Sequence, residues 1–432
     1  MTTLMIKNLI KYFVLTLILV LVLSAFPQLT NLVRFTAVSI IKNIFPDDRT
    51  KPIIQNANSE NIEEIINANS FEINVSNLSN FVGYNTNTDG SINNQHKSAG
   101  LFGEIVNNEI LLKLFTRDGS VIKNGVTKVY DLPKNYDPHN SAGGIRGIFF
   151  LENDPYGLMV TKNIGCQNVT VLNLVKKIKI FETDCLPHDQ SKIHFDGVGG
   201  ASVHLDDKIL ISIGAPTNNH QPIRDLAQSD DSYYGKIISI NKNDINKSLE
   251  NNTKVEVSIF SKGHRNPQGL DKINNKIFST EHGPKGGDEL NNVIENSNYG
   301  WPITSYGTKY ENISSAAYKL NHKKNGFIEP LYQFTPSVGI SDLVKCTKQL
   351  VQYYDREGCL IATSLREKSL IIFLLSEKLD RVIGFEIIDF GQRLRHIAKN
   401  YNGDVFTDKN GSIFISTDQG NVIKAQFNLK KD

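Results

Sequence analysis

The chain has 432 residues, of which 40% are hydrophobic and 21% charged, so it can bury a large core. Its formal net charge is only +2, with 47 basic side chains against 45 acidic ones. Because no run of basic residues is interleaved with aromatic ones, the composition argues against nucleic acid as a partner. This length suits two or three average domains, or one large all-β domain.

The N-terminal segment is apolar and predicts a secretory signal or a membrane anchor. Lys7 and Lys11 precede an almost uninterrupted apolar run over residues 12–26, and a basic flank before an apolar core is the order of a secretory signal. Residues 23–26 form a poor cleavage pattern, which favours an uncleaved anchor over a cleaved peptide at residues 1–27. Such an anchor, with its lysines inside, would tether the rest of the chain to the inner membrane on its periplasmic side.

Residues 28–70 differ from the rest of the chain in composition. From Pro46 onward they are rich in Asn, Asp, Glu and Ser, which predicts a polar tether. One short helix is expected within it, at residues 62–66.

From Phe71 onward the sequence consists of short strand-like runs bounded by Gly, Asn and Asp. Examples are residues 109–115, 169–175 and 370–375. We find no amphipathic pattern that predicts a helix of ordinary length among them. Many short strands at this spacing predict a sandwich, a barrel or a propeller.

A repeated unit favours the propeller. It consists of a polar turn, an apolar strand and a Ser/Thr-containing end, and it recurs around Ile209, Ile277, Ile361 and Ile413. Repeats of four-stranded units are typical of propeller blades. The residues that follow the repeats are therefore expected at related positions on one face, where their side chains could meet across one cavity. These residues are Ala215, His282, Arg366 and Gln419.

The four cysteines form two pairs that are close in sequence, Cys166 with Cys185 and Cys346 with Cys359. Each pair flanks short strand-like runs, so an exported protein could close two local disulfides. Free buried thiols are the alternative. No cluster has the spacing of a zinc site.

Three loops rich in glycine and proline carry most of the chemistry. They are Gly263–Leu270 (GHRNPQGL), Glu281–Glu289 (EHGPKGGDE) and Asn298–Pro302 (NYGWP). Between them they hold a cation, an imidazole, carboxylates and the single tryptophan. One such loop is more often a tight turn between strands, but three in succession favour a site, because loops on a rigid scaffold can converge on a ligand.

This order of motifs resembles the soluble quinoprotein glucose/sorbosone (aldose sugar) dehydrogenase family, from about Phe71 to the C-terminus. The resemblance implies a six-bladed, all-β propeller over residues 71–432 that uses pyrroloquinoline quinone and calcium. Periodicity alone does not separate six blades from seven, so the number comes from the resemblance.

The resemblance also implies which residues bind the quinone. The cofactor carries three carboxylates, and an arginine fork suits a carboxylate because it donates two parallel hydrogen bonds. The implied cofactor-binding residues are Arg265, Asn266, His282, Arg366, Arg393 and Arg395. Any one of these arginines, taken alone, is more often a solvated surface charge. Arg393 and Arg395 are two residues apart, which predicts that they share one face of a strand.

Calcium would bind the quinone oxygens through the backbone carbonyls of Gly283 and Pro284, because hard cations take oxygen ligands. The resemblance implies a second, structural calcium at Glu289 and the carbonyl of Tyr299. An ordinary surface role for the Glu289 carboxylate is the alternative.

The catalytic residues implied by the resemblance are His194, as the base, and Arg265. The family pattern has a histidine and an aromatic residue directly before two glycines, but here three extra residues separate His194 from Gly199. Alignment through the glycines instead puts Gly197 at the position of the base and Ala215 at the position of its acidic partner. A loop insertion could still bring His194 into place.

Two functions of different classes remain open. The first is a membrane-tethered periplasmic enzyme that oxidises an aldose sugar or a related alcohol with pyrroloquinoline quinone and calcium, passing electrons to an acceptor that the sequence does not identify. The second is a propeller that has lost this chemistry and binds a carbohydrate or a protein. The arginines favour the first function, and Ala215 and the insertion favour the second.

Overall fold

The structure is a computed structural model, and it describes residues 63–68, 71–86, 93, 96–136, 143–187, 197–216, 221–251, 255–309 and 318–430. The apolar segment at residues 1–27 and His194 lie outside these ranges. Among the residues described, no helix is long and apolar enough to cross a bilayer.

The described strands form six sheets, and each sheet has four or five strands paired almost entirely antiparallel. The chain enters this fold through β1 (Glu63–Asn67) and β2 (Phe71–Asn77). Both belong to the last sheet, blade 6, and the other strands follow in chain order from blade 1 onward.

Blades 1 to 3 contain the next thirteen strands, and each blade runs from an inner strand outward. Blade 1 consists of β3 (Ser98–Val106), β4 (Glu109–Thr116), β5 (Ser120–Lys123) and β6 (Val126–Val129). Blade 2 consists of β7 (Ile145–Leu151), β8 (Asp154–Asn163), β9 (Cys166–Asn173), β10 (Lys179–Glu182) and β11 (Leu186–Pro187). Blade 3 begins with β12 (Ser202–His204), β13 (Lys208–Ile213), β14 (Lys236–Asn241) and β15 (Val257–Lys262).

Blades 4 to 6 complete the set. Blade 4 consists of β16 (Pro267–Ile273), β17 (Lys276–Glu281), β18 (Asp288–Val293) and β20 (Tyr332–Phe334). Between β18 and β20 the chain forms β19 (Ser297–Asn298), which is the fifth strand of blade 3. Blade 5 consists of β21 (Ile340–Lys345), β22 (Cys359–Ser364), β23 (Ser369–Leu375) and β24 (Val382–Asp389). Blade 6 consists of β25 (Leu394–Ile397), β26 (Ile413–Thr417) and β27 (Val422–Leu429), with β2 and β1 outside them.

The blades close into a ring. Each inner strand contacts the inner strand of the next blade, and β25 of blade 6 contacts β3 of blade 1. Buried apolar side chains fill the layer between each pair of successive blades. The fold is therefore a six-bladed, all-β propeller, which confirms the expected fold class.

Blade 6 joins the two ends of the described chain. β2 pairs antiparallel with β27 along its whole length, from Phe71 opposite Leu429 to Asn77 opposite Ile423. β1 pairs in turn with β2. The short helix expected at residues 62–66 is therefore wrong: these residues lie largely in a strand, because the edge of β2 offers the backbone a hydrogen-bonding partner.

The described residues also contain three short helices between strands, α1 (Gln221–Asp225), α2 (Lys242–Asn251) and α3 (Lys348–Tyr354). The expectation that no helix of ordinary length interrupts the strands was wrong for α2, which has 10 residues. Its sequence is mostly polar, and Ile245 alone on it is fully buried, so its apolar face is too narrow to recognise from the sequence.

The repeat found in the sequence corresponds to the second strand of a blade. Ile209, Ile277, Ile361 and Ile413 lie in β13, β17, β22 and β26. Because neighbouring strands are antiparallel, inner strands begin and second strands end on the same side of the propeller. We name this side the site face, and the residues that follow the second strands lie on it, as the repeat predicts.

Both cysteine pairs form disulfides. Cys166 and Cys185 link β9 to the segment before β11, with their Cα atoms 5.5 Å apart. Cys346 and Cys359 close the loop that contains α3, with a Cα separation of 5.3 Å. The described residues contain no free cysteine, so the free-thiol alternative is wrong.

Candidate functional site

The loop that carries Arg265 and Asn266 is fixed by one carboxylate, Glu281, at the end of β17. Its Oε1 atom accepts hydrogen bonds from the backbone N–H groups of Arg265 and of Asn266, the latter at 3.3 Å. Its Oε2 atom accepts from Nδ1 of His264 at 3.0 Å. A single buried carboxylate therefore holds three consecutive residues of the GHRNPQGL motif.

His264 is fully buried and anchors this loop. Since Nδ1 donates to Glu281, Nε2 accepts a hydrogen bond from Oγ of Ser261 at 2.8 Å. The imidazole also stacks on the ring of Tyr299, with the ring centroids 4.6 Å apart. Because Ser261 and His264 are both buried, these hydrogen bonds position the loop and offer no surface for a substrate.

Asn266 connects the loop to blade 3. Its side-chain oxygen accepts from the backbone N–H of Gly199 at 3.1 Å and from Nε2 of Gln268 at 2.8 Å. Arg265 points differently: its Nη1 donates to the carbonyl of His282 at 2.9 Å, and its guanidinium lies 5.4 Å from the centre of the Trp301 ring. The structure thus brings Arg265, Asn266 and His282 together.

A small cavity lies beneath this loop, and several of the expected site residues line it, including Arg265, His282, Gly283, Glu289 and Tyr299. Four further polar atoms on its walls have no hydrogen-bond partner within the described residues. They are Nε2 of His282, Nε1 of Trp301, Oγ1 of Thr304 and Nδ1 of His322.

The cavity has an unusual charge balance. Burial raises the pKa of Glu289 to about 8, and the nearby Glu281 carboxylate adds to this rise. Nε2 of His322 lies 3.8 Å from Oε1 of Glu289, but burial lowers the pKa of that imidazole. Burial likewise lowers the pKa of His282, with Asp288 opposing this shift and Arg265 adding to it. A buried acidic side chain with a raised pKa therefore lines the cavity, together with the guanidinium group of Arg265.

The turn after His282 is tightly packed. A Cβ atom at Gly283 would lie 2.2 Å from the carbonyl oxygens of both Gly286 and Gly287, so these oxygens crowd around a position where only glycine fits. The Asp288 carboxylate pins the turn by accepting from the N–H of Gly283 at 3.0 Å and from the N–H of Ile340 in blade 5, also at 3.0 Å.

Arg393 and Arg395 meet at a residue that the sequence analysis missed, Asp418, which follows β26. Arg395 binds this carboxylate with two nitrogens, at 2.5 and 2.9 Å, and Nε of Arg393 lies 3.2 Å away. Although burial opposes the shift, these guanidinium groups hold the pKa of Asp418 well below its usual range. Arg393 precedes β25 and does not lie within the strand, but the two arginines still reach the same carboxylate.

Arg366 lies on the rim of the site face, and its side chain is exposed. The neighbouring carbonyl of Leu365 accepts from Nη1 of Arg393 at 3.2 Å. Gln419 accepts from the backbone N–H of Arg393 at 3.0 Å. The structure therefore brings the Arg366 backbone together with Arg393 and Gln419, where blades 5 and 6 meet.

The expected site residues line two cavities. Arg395 lines the central channel of the propeller, together with residues of the other inner strands. Arg265, His282 and Gly283 line the smaller cavity at blade 4.

The base region is described only in part, because residues 188–196 lie outside the described ranges. Gly197 packs against Asn266 and the Ala215 carbonyl, each 3.5 Å from the position of a Cβ atom. Ala215 is buried and packs against Trp301 and Ala227. The position expected for the acidic partner therefore holds a methyl group in an apolar cluster.

We expect Glu281→Ala to destabilise the fold by about 2 kcal/mol, because it leaves one imidazole N–H and two backbone N–H groups without their buried acceptor. Urea unfolding monitored by circular dichroism measures this difference. Glu256→Ala, at an exposed carboxylate, is the matched control and should change the free energy of unfolding little. Equal losses in the two variants would contradict the role given to Glu281.

The protein is a propeller with basic and amide side chains gathered on one face. Comparisons with known proteins assign the chain to a family. The family model described as Glucose / Sorbosone dehydrogenase matches residues 164–423, more than half of the chain. The chain belongs to this family. Among the described residues, no group of three or more His, Cys, Asp or Glu side chains is arranged to hold a metal ion.

Individual relatives agree with this assignment. The chain is 26% identical to the aldose sugar dehydrogenase YliI of Escherichia coli over 238 residues, covering 52% of this chain and 59% of the relative. It is 34% identical to quinoprotein glucose dehydrogenase B of Acinetobacter calcoaceticus over 231 residues, covering 45% and 48%. The chain thus spans about half the length of the curated relatives it matches.

Solved structures share the fold. The PQQ-bound form of an aldose sugar dehydrogenase from Streptomyces coelicolor superposes with a TM-score of 0.55 at 17% identity. The similarity covers 82% of this chain and 98% of that one. At this identity the likeness concerns the fold alone.

Proposed function

We propose that the chain is a quinoprotein that oxidises an aldose sugar or a related alcohol with pyrroloquinoline quinone and calcium. The observation that carries the proposal is the gathering of Arg265, Asn266, Arg366, Arg393 and Arg395 on the site face, where structural partners orient the side chains of Arg265, Asn266, Arg393 and Arg395. The names of the quinoprotein and PQQ-bound relatives support the same cofactor.

The donor set fits a ligand with several carboxylates. Arg265 and Asn266 lie on a loop that Glu281 fixes, and Arg393 and Arg395 are oriented by Asp418. Preorganised guanidinium groups bind a carboxylate well, because little side-chain entropy remains to be lost. The arrangement suits the cofactor named in the proposal.

The expected calcium ligands fit in part. The expected ligands at the quinone are the backbone carbonyls of Gly283 and Pro284, in a turn that the Asp288 carboxylate fixes by accepting from the N–H of Gly283. In the smaller cavity, the carboxylate of Glu289 and the unpartnered hydroxyl oxygen of Thr304 are oxygen donors, and Tyr299 lines the same space. We propose these two places as the calcium sites.

In the proposed reaction the protein residues bind the cofactor and remove a proton. When bound, pyrroloquinoline quinone supplies a two-electron acceptor, and calcium polarises its carbonyl oxygens. His194 would take the proton of the sugar C1 hydroxyl. The guanidinium of Arg265 stays fixed through its bond to the His282 carbonyl. The carboxylate of Asp418 holds the guanidinium groups of Arg393 and Arg395, and the carboxylate of Glu281 holds the backbone of Arg265.

We propose an extracytoplasmic location, with the N-terminal segment as a membrane tether. The two disulfides support it, because disulfides persist in oxidising compartments such as the periplasm. The segment itself lies outside the described residues.

The proposal is tested by adding pyrroloquinoline quinone and calcium to the purified protein and following the absorbance of the bound quinone after adding an aldose. Sugar-dependent reduction of the quinone is the expected result. Binding of the quinone without reduction by any aldose or alcohol would rule out the enzyme.

Arg393→Ala should weaken quinone binding by about 2 kcal/mol, the scale of one charge-assisted hydrogen bond. Arg393 is suited to this test because its side chain is 43% exposed and can turn toward a ligand, whereas that of Arg395 is buried against Asp418. Fluorescence titration with the quinone gives the two dissociation constants. Arg381→Ala, at an exposed arginine of blade 5, serves as control, and superimposable titration curves for wild type and Arg393→Ala would sink this prediction.

A binding module without catalysis is the second candidate, and Ala215 favours it. Its methyl group packs in an apolar cluster where the family has an acidic partner for the base. Gly197 at the aligned position of the base has no side chain. In that case wild type should bind a sugar without oxidising it.

A further inference from the structure

One buried carboxylate joins the turn of the expected calcium ligands to the next blade. Asp288 is the first residue of β18 and is fully buried. Its Oδ1 atom accepts from the N–H of Gly283 at 3.0 Å. Its Oδ2 atom accepts from the N–H groups of Gly339 and Ile340 in blade 5, at 2.6 and 3.0 Å. Because β18 and β21 both begin on the site face, these contacts lie on that face. We name them the Asp288 link.

On the blade 5 side, the Asp288 link continues into the loop of Arg366. The carbonyl of Val338 accepts from the N–H of Arg366 at 3.0 Å, and the carbonyl of Gly339 accepts from the N–H of Leu365 at 2.9 Å. Gly339 has a φ of +67°, and a Cβ atom there would lie 3.0 Å from the backbone nitrogen of Arg366. The position of the Arg366 backbone therefore depends on the segment that Asp288 binds.

The same path reaches blade 6. The carbonyl of Leu365 accepts from Nη1 of Arg393 at 3.2 Å. One end of the path thus holds Gly283, an expected calcium ligand, and the other end holds Arg366 and Arg393, which are expected to bind the quinone. Asp288 supplies the step that crosses from blade 4 to blade 5.

A second carboxylate joins the same two blades far from the expected ligands. Asp271 in β16 is 4% exposed, and its Oδ2 atom accepts from the N–H of Lys345 at 2.6 Å. Its Oδ1 atom accepts from the N–H of Lys272 at 2.7 Å. Lys345 is the last residue of β21, so it lies at the opposite end of that strand from Ile340. Neither lysine belongs to the expected cofactor or calcium ligands, so Asp271 offers a way to separate stability from ligand binding.

We infer that Asp288 is a positioning residue that couples calcium binding to quinone binding. The inference rests on the proposed function and adds a residue outside its ligand set. While the Asp288 link is intact, the turn of Gly283 and the loop of Arg366 keep one relative position, so neither has to be ordered when the quinone binds. Coupling of this kind is reciprocal, because each ligand raises the affinity for the other by the same factor. Loss of the link lowers that factor.

The test is a fluorescence titration of the purified full chain with pyrroloquinoline quinone at pH 8, once with calcium and once with a calcium chelator. Wild type should bind the quinone more tightly with calcium. Asp288→Asn replaces one acceptor oxygen by an N–H donor, so either Gly283 or the blade 5 segment loses its acceptor. Quinone binding with calcium should weaken about tenfold, the scale of one hydrogen bond to a charged group. With the chelator, wild type and the variant should differ much less.

Asp271→Asn is the matched control, because it alters the same kind of contact between the same blades. Burial raises the pKa of Asp271 to about 6, so this carboxyl group is ionised at pH 8. Both variants should lower the melting temperature, but Asp271→Asn should bind the quinone as wild type does, with and without calcium. Should Asp288→Asn fail to fold, Gly339→Ala strains the Asp288 link from blade 5 and should weaken calcium-dependent quinone binding in the same way.

Equal quinone dissociation constants for wild type and Asp288→Asn with calcium overturn the inference. An equal loss in Asp288→Asn and Asp271→Asn, or a loss of the same size with calcium and with the chelator, also overturns it, because the role of Asp288 would then be structural only. A wild type that binds no quinone contradicts the proposed cofactor and this inference together. The two failures are therefore distinguishable from the wild-type titration alone.

Discussion

Replacing His194 by alanine should lower dye-linked aldose oxidation by roughly 100-fold, the usual scale for loss of a general base. Quinone and calcium should still bind, because the proposed ligands lie on other loops. Gly197, three residues further on, packs against Asn266 of the proposed cofactor site, so the segment that contains His194 leads directly into that site. Steady-state kinetics with a dye acceptor, together with a quinone titration, measure both effects.

His204→Ala is the control for this change. His204 ends β12 and therefore lies at the opposite end of the channel from the site face, and burial lowers the pKa of its imidazole to about 4. This variant should keep its activity as long as it folds. Full activity in His194→Ala would show that the base is elsewhere, and an inactive wild type would favour the binding module.

Asp418→Asn should lower the free energy of unfolding by about 3–5 kcal/mol, the cost of breaking a buried ion pair from one side. Asp418 is 3% exposed, and its removal leaves the charge of the buried Arg395 without a counter-ion. Urea unfolding at pH 7 measures the loss. Asp389→Asn, at an exposed carboxylate that accepts from the N–H of Gly391, should cost far less.

The same pair predicts a dependence of stability on pH. Because the pKa of Asp418 lies below its usual value in the folded state, the ion pair stabilises the protein fully above the ordinary aspartate pKa of about 3.9. This contribution is lost as the pH falls from there toward the lower folded-state value. Wild type should therefore lose more stability than Asp418→Asn between about pH 4 and pH 2. Parallel pH curves for the two proteins would contradict the assignment.

The sequence predicted the fold where the signal was local. The turn, strand and polar end repeated around Ile209 and Ile413 are contained in about ten residues each, and both proved to be second strands of blades. The pairing of β2 with β27 was not predictable in this way, because it joins Phe71 to Leu429 and no local pattern records such a partner. The number of blades came from family resemblance alone.

For the site, too, local sequence signals were predictive and contacts between distant residues were not. Glycine and proline in GHRNPQGL and EHGP marked the loops, but the side chains that hold them were missed. Glu281 and Asp288 are ordinary carboxylates in the sequence, and their roles arise from contacts with residues of other strands. Asp418 was missed for the same reason, since it follows a second strand without a motif of its own. A count of charges at the ends of the second strands would have found it.

Ring closure in blade 6 imposes an order on biosynthesis. β2 leaves the ribosome among the first strands, yet its partner β27 is made only when residue 429 has been added. Blades 1 to 5 can stack as they emerge, whereas one edge of β2 stays open through almost the whole of translation. An open strand edge is a template for pairing with another chain. A nascent chain stalled before Val422 is thus the form of this protein most prone to aggregate, and the one for which a chaperone would matter most.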